Sequence, residues 1–137
     1  MAALTDKKAL TLAAARAIVA AAETEAQKHE LKVTMSVVDE GGHLLHLARM
    51  DDTGLASIEV SIAKARAAAM FKRPTKFWED AHASGKTHLA SLPGVLPIEG
   101  GVPLMADGKV IGAFGVSGAS SAQDGQVAAA GVAALGG

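Results

Sequence analysis

Six side chains in the middle of the chain are of types that bind ligands or transfer protons. They are His43, Arg49, Asp51, Lys64, Thr75 and Glu99. Arg49 is the best candidate for an anion clamp because its planar guanidinium matches a carboxylate, although a neighbouring aspartate could simply neutralise it. Glu99 is a candidate general acid or base if burial raises the pKa of its carboxyl group. Lys64 falls within a predicted helix, where a lysine usually extends into solvent but can also point into a pocket.

His43 and His46 form the pattern H-x-x-H. Residues three apart in a strand project from opposite faces unless a bulge intervenes, so we do not expect the two rings to share a metal ion. Each ring is either a hydrogen-bonded structural histidine or a ligand on a face that meets a cavity. His82 and His88 have no carboxylate or cysteine at ligand spacing, and we predict that both lie on the surface.

Several enzyme classes lack their usual signatures in this chain. It contains no cysteine, which excludes disulfides, thiolate metal sites and a cysteine nucleophile. No serine occupies a G-x-S-x-G elbow, and no glycine-rich phosphate-binding loop is present. The sequence therefore does not predict acyl or phosphoryl transfer by these motifs.

Composition limits the partners. Thirteen Lys and Arg residues against 14 Asp and Glu give a net charge of -1, which argues against nucleic acid or an anionic membrane as a partner. Three Phe, one Trp and no Tyr leave no aromatic platform on which bases could stack. A chain of 137 residues fits one domain, which we expect to span residues 1–137.

Hydrophobic content predicts self-association. Apolar residues make up 50% of this small chain, which is more than one sheet face readily covers, so we expect a homo-oligomer. The first residues, MAALTDKK, lack the charged-then-apolar order of a signal peptide. No apolar run approaches about 18 residues, the length needed to cross a membrane. The expected location is the cytoplasm.

The segment 33–51 is predicted to form a hairpin at the centre of an antiparallel sheet. Its first run alternates apolar residues with Thr34 and Ser36, the period-two pattern of a strand with one buried face. Gly41 and Gly42 can adopt positive φ at little steric cost, so the chain can reverse there and pair with the apolar run that follows.

A second hairpin is predicted near the end of the chain. Its strands, Val102–Ala106 and Lys109–Ser117, flank Asp107-Gly108, a two-residue loop that favours a type I′ turn. Pro103 cannot donate a hydrogen bond to a neighbouring strand, so its strand should lie at the edge of the sheet.

Helical patterns fill the remaining segments. The predicted helices are Thr5–Glu30, Ser57–Phe71 with Ser57 as its cap, Lys76–Ser84 after Thr75 as a cap, and a last helix capped by Ser120 or Ser121. The inner stripe of the second helix is predicted to be Ile58, Ile62, Ala65 and Ala69. Between the third helix and the second hairpin, Ser91–Gly101 should be an ordered loop that carries Glu99.

Three glycines and a helix start leave alternatives open. Gly112, Gly115 and Gly118 recur every third residue. They either leave room for packed helices or a bulge, or let a flat ligand lie against the backbone. Asp124 stands three residues after Ser121, in a capping-box-like position. Free amides at this helix start would attract a carboxylate or a phosphate.

Three separated segments resemble a known family. They are VVDEGGHLLHLARMD, SIAKARAAAMFKRPT and PIEGGVPLMADGKVIGAFGVSGASSAQDGQVAAAG. In this order they resemble the GlcG/HbpS family, also known as the haem-degrading or haem-binding domain and found beside cobalamin adenosyltransferases. The resemblance covers nearly the whole chain, from Ala9 to Ala134.

The resemblance implies a profilin-like α+β fold, in which an antiparallel sheet of about five strands is flanked by helices in a single α/β/α-type domain. It also implies haem or another small ligand, and a homo-oligomer such as a tetramer or an octamer. The candidate site residues at the family's motif positions are Arg49, Asp51, Lys64, Thr75, Glu99, Ser117 and Gly118.

Three functions from different classes compete. In the first, the protein binds haem or a tetrapyrrole, with His43 as axial ligand and Arg49 or Lys64 holding a propionate. In the second, it is an enzyme acting on a small carboxylate-bearing metabolite, with Glu99 or His43 as acid or base and the same two cations as anion clamps. In the third, it is an accessory scaffold protein without chemistry. The further ligand-binding candidates are Asp51, Thr75, Ser117 and Gly118.

Overall fold

A computed structural model describes residues 3–136 as helices around one antiparallel sheet. The four strands are β1 (Thr34–Asp39), β2 (Leu44–Arg49), β3 (Gly101–Ala106) and β4 (Lys109–Ser117), in the spatial order β2-β1-β4-β3. The helices are α1 (Leu12–Lys28), α2 (Ser57–Phe71), α3 (Thr75–Ala83) and α4 (Ser121–Ala133), with a short 3-10 helix at Thr87–Ser91. The predicted α+β class is confirmed, but the described residues form four strands instead of about five.

The sheet lies between two helical layers. On one face, Ile18 of α1 and Val127 of α4 join Met35 and Phe114 in the main hydrophobic core. On the other face, Ala65 and its neighbours on α2 pack against β1 and β4 in a smaller cluster. No helix within residues 3–136 has the length and apolarity required to cross a bilayer.

Both faces of β1 are buried, so the prediction of one buried face is wrong. Thr34 and Ser36 are 0% exposed because α2 covers them. Their hydroxyls are hydrogen-bonded to the hydroxyls of Ser57 and Ser61, each at 2.7 Å. Paired hydroxyls remove the cost of burying polar groups, so a polar strand face can lie in the interior.

The face that α2 turns to the sheet differs from the predicted stripe. Ile58 and Ile62 are only partly buried, whereas Ser57, Ser61, Lys64, Ala65 and Ala68 are buried. Small and hydroxyl-bearing residues let the helix lie closer to the strands than isoleucines would. The predicted stripe is therefore wrong. The helix extends to Phe71 as predicted, but Ser57 is its first residue and not its cap, because the Ser57 hydroxyl donates to the Gly54 carbonyl.

Two glycines paired across β3 and β4 create the contact with α2. Gly101 lies opposite Gly115 in the sheet. A Cβ on Gly115 would lie 2.0 Å from the carbonyl oxygen of Ser61, and one on Gly101 would lie 2.2 Å from that of Lys64. At Gly115, the interpretation that these glycines leave room for packed helices is confirmed.

Two helix starts and one capping box differ from the prediction. α1 begins at Leu12 and not at Thr5, because the Thr11 side chain accepts a hydrogen bond from the amide of Ala14. α3 begins at Thr75 itself, whose hydroxyl does not cap the helix. α4 is capped by Ser120 in a capping box with Gln123, so the predicted box with Asp124 is wrong.

Local turn chemistry is confirmed in the second hairpin. Asp107 and Gly108 have φ of 53° and 75°, and two consecutive positive φ values are typical of a type I′ turn. β3, which carries Pro103, is an edge strand. Both features match the sequence prediction.

The contact between Gly115 and α2 predicts a strong effect of one methyl group. Gly115→Ala should lower the free energy of unfolding by about 1–3 kcal/mol, because the helix must shift away from the strand. The matched control is Gly54→Ala, where a Cβ would meet no atom within 4 Å. Urea unfolding measures both changes, and equal midpoints for the two variants would contradict the packing described.

Candidate functional site

The structure distributes the predicted site residues over three places. The β1–β2 turn, residues 40–43, holds His43. The end of β2 holds Arg49 and Asp51. The third place is a polar cluster between α2, α3, α4 and the adjoining strand ends, and its predicted members are Lys64, Thr75, Glu99, Ser117 and Gly118. A single chain therefore does not bring all the candidates to one site.

Lys64 is the centre of the polar cluster. Its side chain is 1% exposed, and its ammonium donates to the Asp124 carboxylate and to the Val116 carbonyl, both at 2.9 Å. The expectation that this lysine usually extends into solvent is wrong at this position. The pocket alternative also differs from what is found, because the ammonium is buried and bonded to Asp124 and Val116.

Asp124 is a buried residue that sequence reasoning assigned to the wrong role. It is 2% exposed, and its second carboxylate oxygen accepts from the amide of Ala119 at 2.9 Å. Burial raises the pKa of the Asp124 carboxyl, and the hydrogen bond from Lys64 acts against that effect. Asp124 thus joins the start of α4 to α2 and to the end of β4.

Thr75, Ser117 and Gly118 lie in closely packed parts of the fold. The buried Thr75 hydroxyl accepts a hydrogen bond from the amide of Gly101 at 2.9 Å, which fixes the start of β3 against α3. Ser117 is 8% exposed, and Gly118 has φ of 138° with its backbone against Lys32. No member of the polar cluster lines any of the five cavities measured in residues 3–136.

Glu99 lies half-buried at the rim of the polar cluster. Its carboxylate packs on α4 at Gly125, where a Cβ would lie 2.0 Å from the carboxylate oxygen Oε2. Its backbone amide donates to the Glu79 carboxylate at 3.1 Å. Burial raises the pKa of the Glu99 carboxyl, Lys76 opposes this effect, and the charge of Glu79 adds to it.

The end of β2 lies far from Glu99. Arg49 and Asp51 line an open cavity of about 530 Å³ with Thr53 and Leu55. β2 and β3 form opposite edges of the sheet, and three interstrand steps span about 14 Å. The structure therefore does not place Arg49 and Glu99 around a common cavity within one chain.

The β1–β2 turn presents His43 to solvent. The His43 side chain is 82% exposed, with Nδ1 lying 3.4 Å from an oxygen of Asp39. That same oxygen accepts the backbone amides of Gly41 and His43, each at 2.9 Å. The hydrogen bond from the His43 amide is the main cause that lowers the pKa of Asp39. The ring is thus held next to a carboxylate while its outer edge faces solvent.

The second histidine of H-x-x-H lies in a different environment. The pairing of β1 with β2 shifts register between Val37 and Val38, which marks a bulge in β2. His46 pairs with Val37 and is half-buried. Within residues 3–136, no three His, Cys, Asp or Glu side chains group as metal ligands. His82 and His88 are exposed, so their predicted surface location is confirmed.

Arg66 and Met70 are neighbours of the turn that sequence reasoning missed. Arg66 donates from Nε to the Gly42 carbonyl at 2.9 Å, and the Met70 Cε atom would lie 3.3 Å from a Cβ on Gly42. Their spacing of four residues puts both on one face of α2. Only the tertiary fold brings the turn against that face of α2, so no local sequence pattern could predict the contact.

An antiparallel sheet covered by helices on both faces defines a small α+β domain. Its ionisable groups lie at exposed turns and strand ends and in one buried polar cluster. The profile of the family "Haem degrading protein HbpS-like" matches residues 10–133, and the chain belongs to this family.

Similar proteins extend the comparison. Protein GlcG from Escherichia coli K12 is 47% identical over 103 residues, which cover 75% of this chain and 77% of GlcG. The crystal structure of an HbpS double mutant from Streptomyces reticuli is similar with a TM-score of 0.87 and 37% identity, covering 98% of this chain and 92% of that one. The crystal structure of the PduOC–haem complex has a TM-score of 0.83 and 32% identity, covering 93% and 95%.

The β1–β2 turn offers groups suited to haem, although the surface there is open. An exposed imidazole is present at His43. Leu44, the next residue, is 48% exposed, and Met70, which lies next to Gly42, is 52% exposed. None of the five cavities measured in residues 3–136 is lined by a histidine. The exposed imidazole of His43 is therefore a group that could ligate a haem iron, but none of these cavities encloses it.

The buried ion pair predicts an asymmetric mutational response. Lys64→Met should lower the free energy of unfolding by about 3–5 kcal/mol, because it leaves the Asp124 carboxylate buried without its cation. The double variant Lys64→Met/Asp124→Leu should recover part of that loss. Lys76→Met serves as control, since Lys76 pairs with Asp80 at the surface. Thermal unfolding measures all three, and a single variant no less stable than the control would contradict the pairing.

The raised pKa of Glu99 predicts a pH-dependent stability difference. A carboxyl whose pKa is higher in the folded state holds its proton more tightly there, so its ionisation at neutral pH opposes folding. Glu99→Gln should therefore be more stable than the wild type at neutral pH. The difference should disappear as the pH falls through the raised folded pKa to below the ordinary value of 4.5. Urea midpoints across this range test the sign, and a difference independent of pH would contradict it.

Proposed function

We propose that this protein binds haem or a related tetrapyrrole, with His43 as the axial ligand. The observation that carries the proposal is the 82% exposed imidazole held on the β1–β2 turn beside Asp39. The family match and the structural similarity to PduOC, which was crystallised with haem, support the choice of ligand.

Asp39 makes His43 a suitable metal ligand. A carboxylate near Nδ1 favours the tautomer that carries its proton there, so the lone pair of Nε2 is free to bind a metal. Two backbone amides hold the carboxylate oxygen in place. When bound, the haem supplies an iron centre for ligation or redox chemistry.

Neither cation predicted to hold a propionate is suited to that role within one chain. The Lys64 ammonium is buried and paired with Asp124. Arg49 lies at the far end of β2 from His43, and six residues of strand span about 20 Å. The anion-binding group of a site at His43 must come from elsewhere.

A second candidate function is acid–base chemistry at Glu99. The half-buried carboxylate with its raised pKa supports this role. The proposed anion clamps do not accompany it, because Lys64 is neutralised by Asp124 and Arg49 lies at the opposite sheet edge. For this reason we rank catalysis below ligand binding.

We also propose that the protein forms a homo-oligomer. Leu55, Met70 and Phe77 are 71%, 52% and 48% exposed in the single chain. Burial of these side chains against another copy would remove apolar surface from water. The same contact would cover a ligand that a single chain leaves open on one side.

Haemin titration tests the role of His43. His43→Ala should weaken haemin binding at least about tenfold and abolish the Soret shift of the complex, because the axial nitrogen is lost. His88→Ala is the matched control, since it removes another exposed imidazole. Absorbance spectroscopy on the full chain measures both. An unchanged spectrum for His43→Ala, or an equal effect of His88→Ala, would contradict the proposal.

A further inference from the structure

A cavity of about 440 Å³ beside the turn between β3 and β4 is lined by three lysines, Lys7, Lys72 and Lys109. We call it the lysine cavity. None of the described residues that line it is acidic. The lysines come from three parts of the chain: the segment before α1, the residue that follows α2, and the first residue of β4. Because like charges repel, a fold that gathers three cations without lining carboxylates leaves a local excess of positive charge. The lysine cavity is therefore complementary to an anion.

Two of these three lysines form no salt bridge with any residue in the range 3–136. The Lys7 ammonium pairs with Glu40. The Lys109 ammonium donates to the backbone carbonyl of Asp6 at 3.0 Å, so a neutral acceptor holds it in place and its charge is not compensated. Lys72 is exposed and has neither a salt bridge nor a side-chain hydrogen bond within the described part of the chain. Lys72 and Lys109 are thus available to an anionic ligand.

The acidic side chains nearby do not supply the missing counter-charge. Asp107 lies in the turn between β3 and β4 and pairs with Lys8 at 3.4 Å. The Asp6 carboxylate forms no salt bridge with a residue of the described range, and Asp6 lines none of the five cavities measured there. A ligand carboxylate would therefore meet two cations that no acidic group of the described chain neutralises.

An apolar cavity adjoins the lysine cavity. Met105 and Gly108 line both of them. The volume of the apolar cavity is about 420 Å³, which falls within the range of roughly 300–1,000 Å³ for small-molecule sites. Leu10, Ala14 and Leu135 are among the apolar side chains that line it. Its charged lining residues, the paired Lys8 and Asp107, carry no net charge. A hydrocarbon group placed there is removed from water, which favours its binding.

We propose that the two cavities together bind an organic anion with a short unbranched hydrocarbon chain, the chemical class of medium-chain fatty acids. The carboxylate lies at Lys72 and Lys109, and the chain extends past Met105 into the apolar cavity. An inorganic anion leaves the apolar cavity unfilled, and an uncharged chain leaves the lysines unpaired, so the ligand needs both parts. His43 lines neither cavity, and the proposal is therefore independent of haem binding.

A comparison of octanoate with butanoate and 1-octanol tests both parts of the ligand. Isothermal titration calorimetry of the full chain at low ionic strength, where screening is weak, gives the dissociation constants. Octanoate should bind at least about tenfold more tightly than butanoate, because four more methylene groups leave water. It should also bind more tightly than 1-octanol, which has a chain of the same length but no charge.

Substitutions in each cavity should separate the two contributions. Lys72→Gln/Lys109→Gln should weaken octanoate binding about tenfold and leave 1-octanol binding unchanged. Ala14→Leu places a larger side chain in the apolar cavity and should weaken the binding of both ligands. Lys86→Gln is the matched control, because it removes an exposed lysine that lines none of the five cavities measured in residues 3–136.

The comparison of the three ligands uses the wild-type protein, so it decides the proposal even if a variant fails to fold, which circular dichroism detects. Equal affinities for octanoate and butanoate, or for octanoate and 1-octanol, would overturn the proposal. Equal losses of octanoate affinity in the double lysine variant and in Lys86→Gln would also overturn it. Haemin titration of the same wild-type sample distinguishes a failure of this proposal from a failure of the proposed haem binding.

Discussion

The close contact of α2 with the sheet is the constraint on which the rest of the structure depends. Gly101 and Gly115 lie side by side in β3 and β4, and neither position has room for a Cβ under the helix backbone. At that distance Lys64 cannot reach solvent, so its ammonium requires a buried acceptor. Asp124 supplies it and thereby fixes the start of α4. One steric condition thus sets the positions of two strands and two helices.

Local signals explain which elements the sequence could predict. Two-residue turns and helical periodicity act within a few residues, which is why Asp107-Gly108 and the end of α2 were predictable. The start of α1 was not, because Thr5 and Thr11 are both possible caps before an alanine-rich run. The buried face of α2 was missed because hydrophobicity favours Ile58, whereas the sheet beneath presents hydroxyls and bare backbone.

The site was less predictable because it depends on strand order and on long-range pairing. The candidate residues themselves were visible by type, but Lys64 and Asp124 are 60 positions apart in the chain. No local pattern joins them. Arg49 ends β2 and Glu99 lies just before β3, so the two could converge only if those strands were neighbours. The order β2-β1-β4-β3 places them at opposite edges of the sheet. Several residues at family motif positions, Thr75 among them, hold helices and strands together within the chain.

The hydrogen bonds that hold the β1–β2 turn affect both the association rate and the affinity of a molecule that binds there. Asp39 holds two amides of the turn, and Arg66 holds the carbonyl of Gly42. A loop that is already ordered loses little conformational entropy when it is occupied, so more of the contact energy is retained as affinity. Capture would then need no folding step, and its rate would be governed by diffusional encounter with an accessible surface.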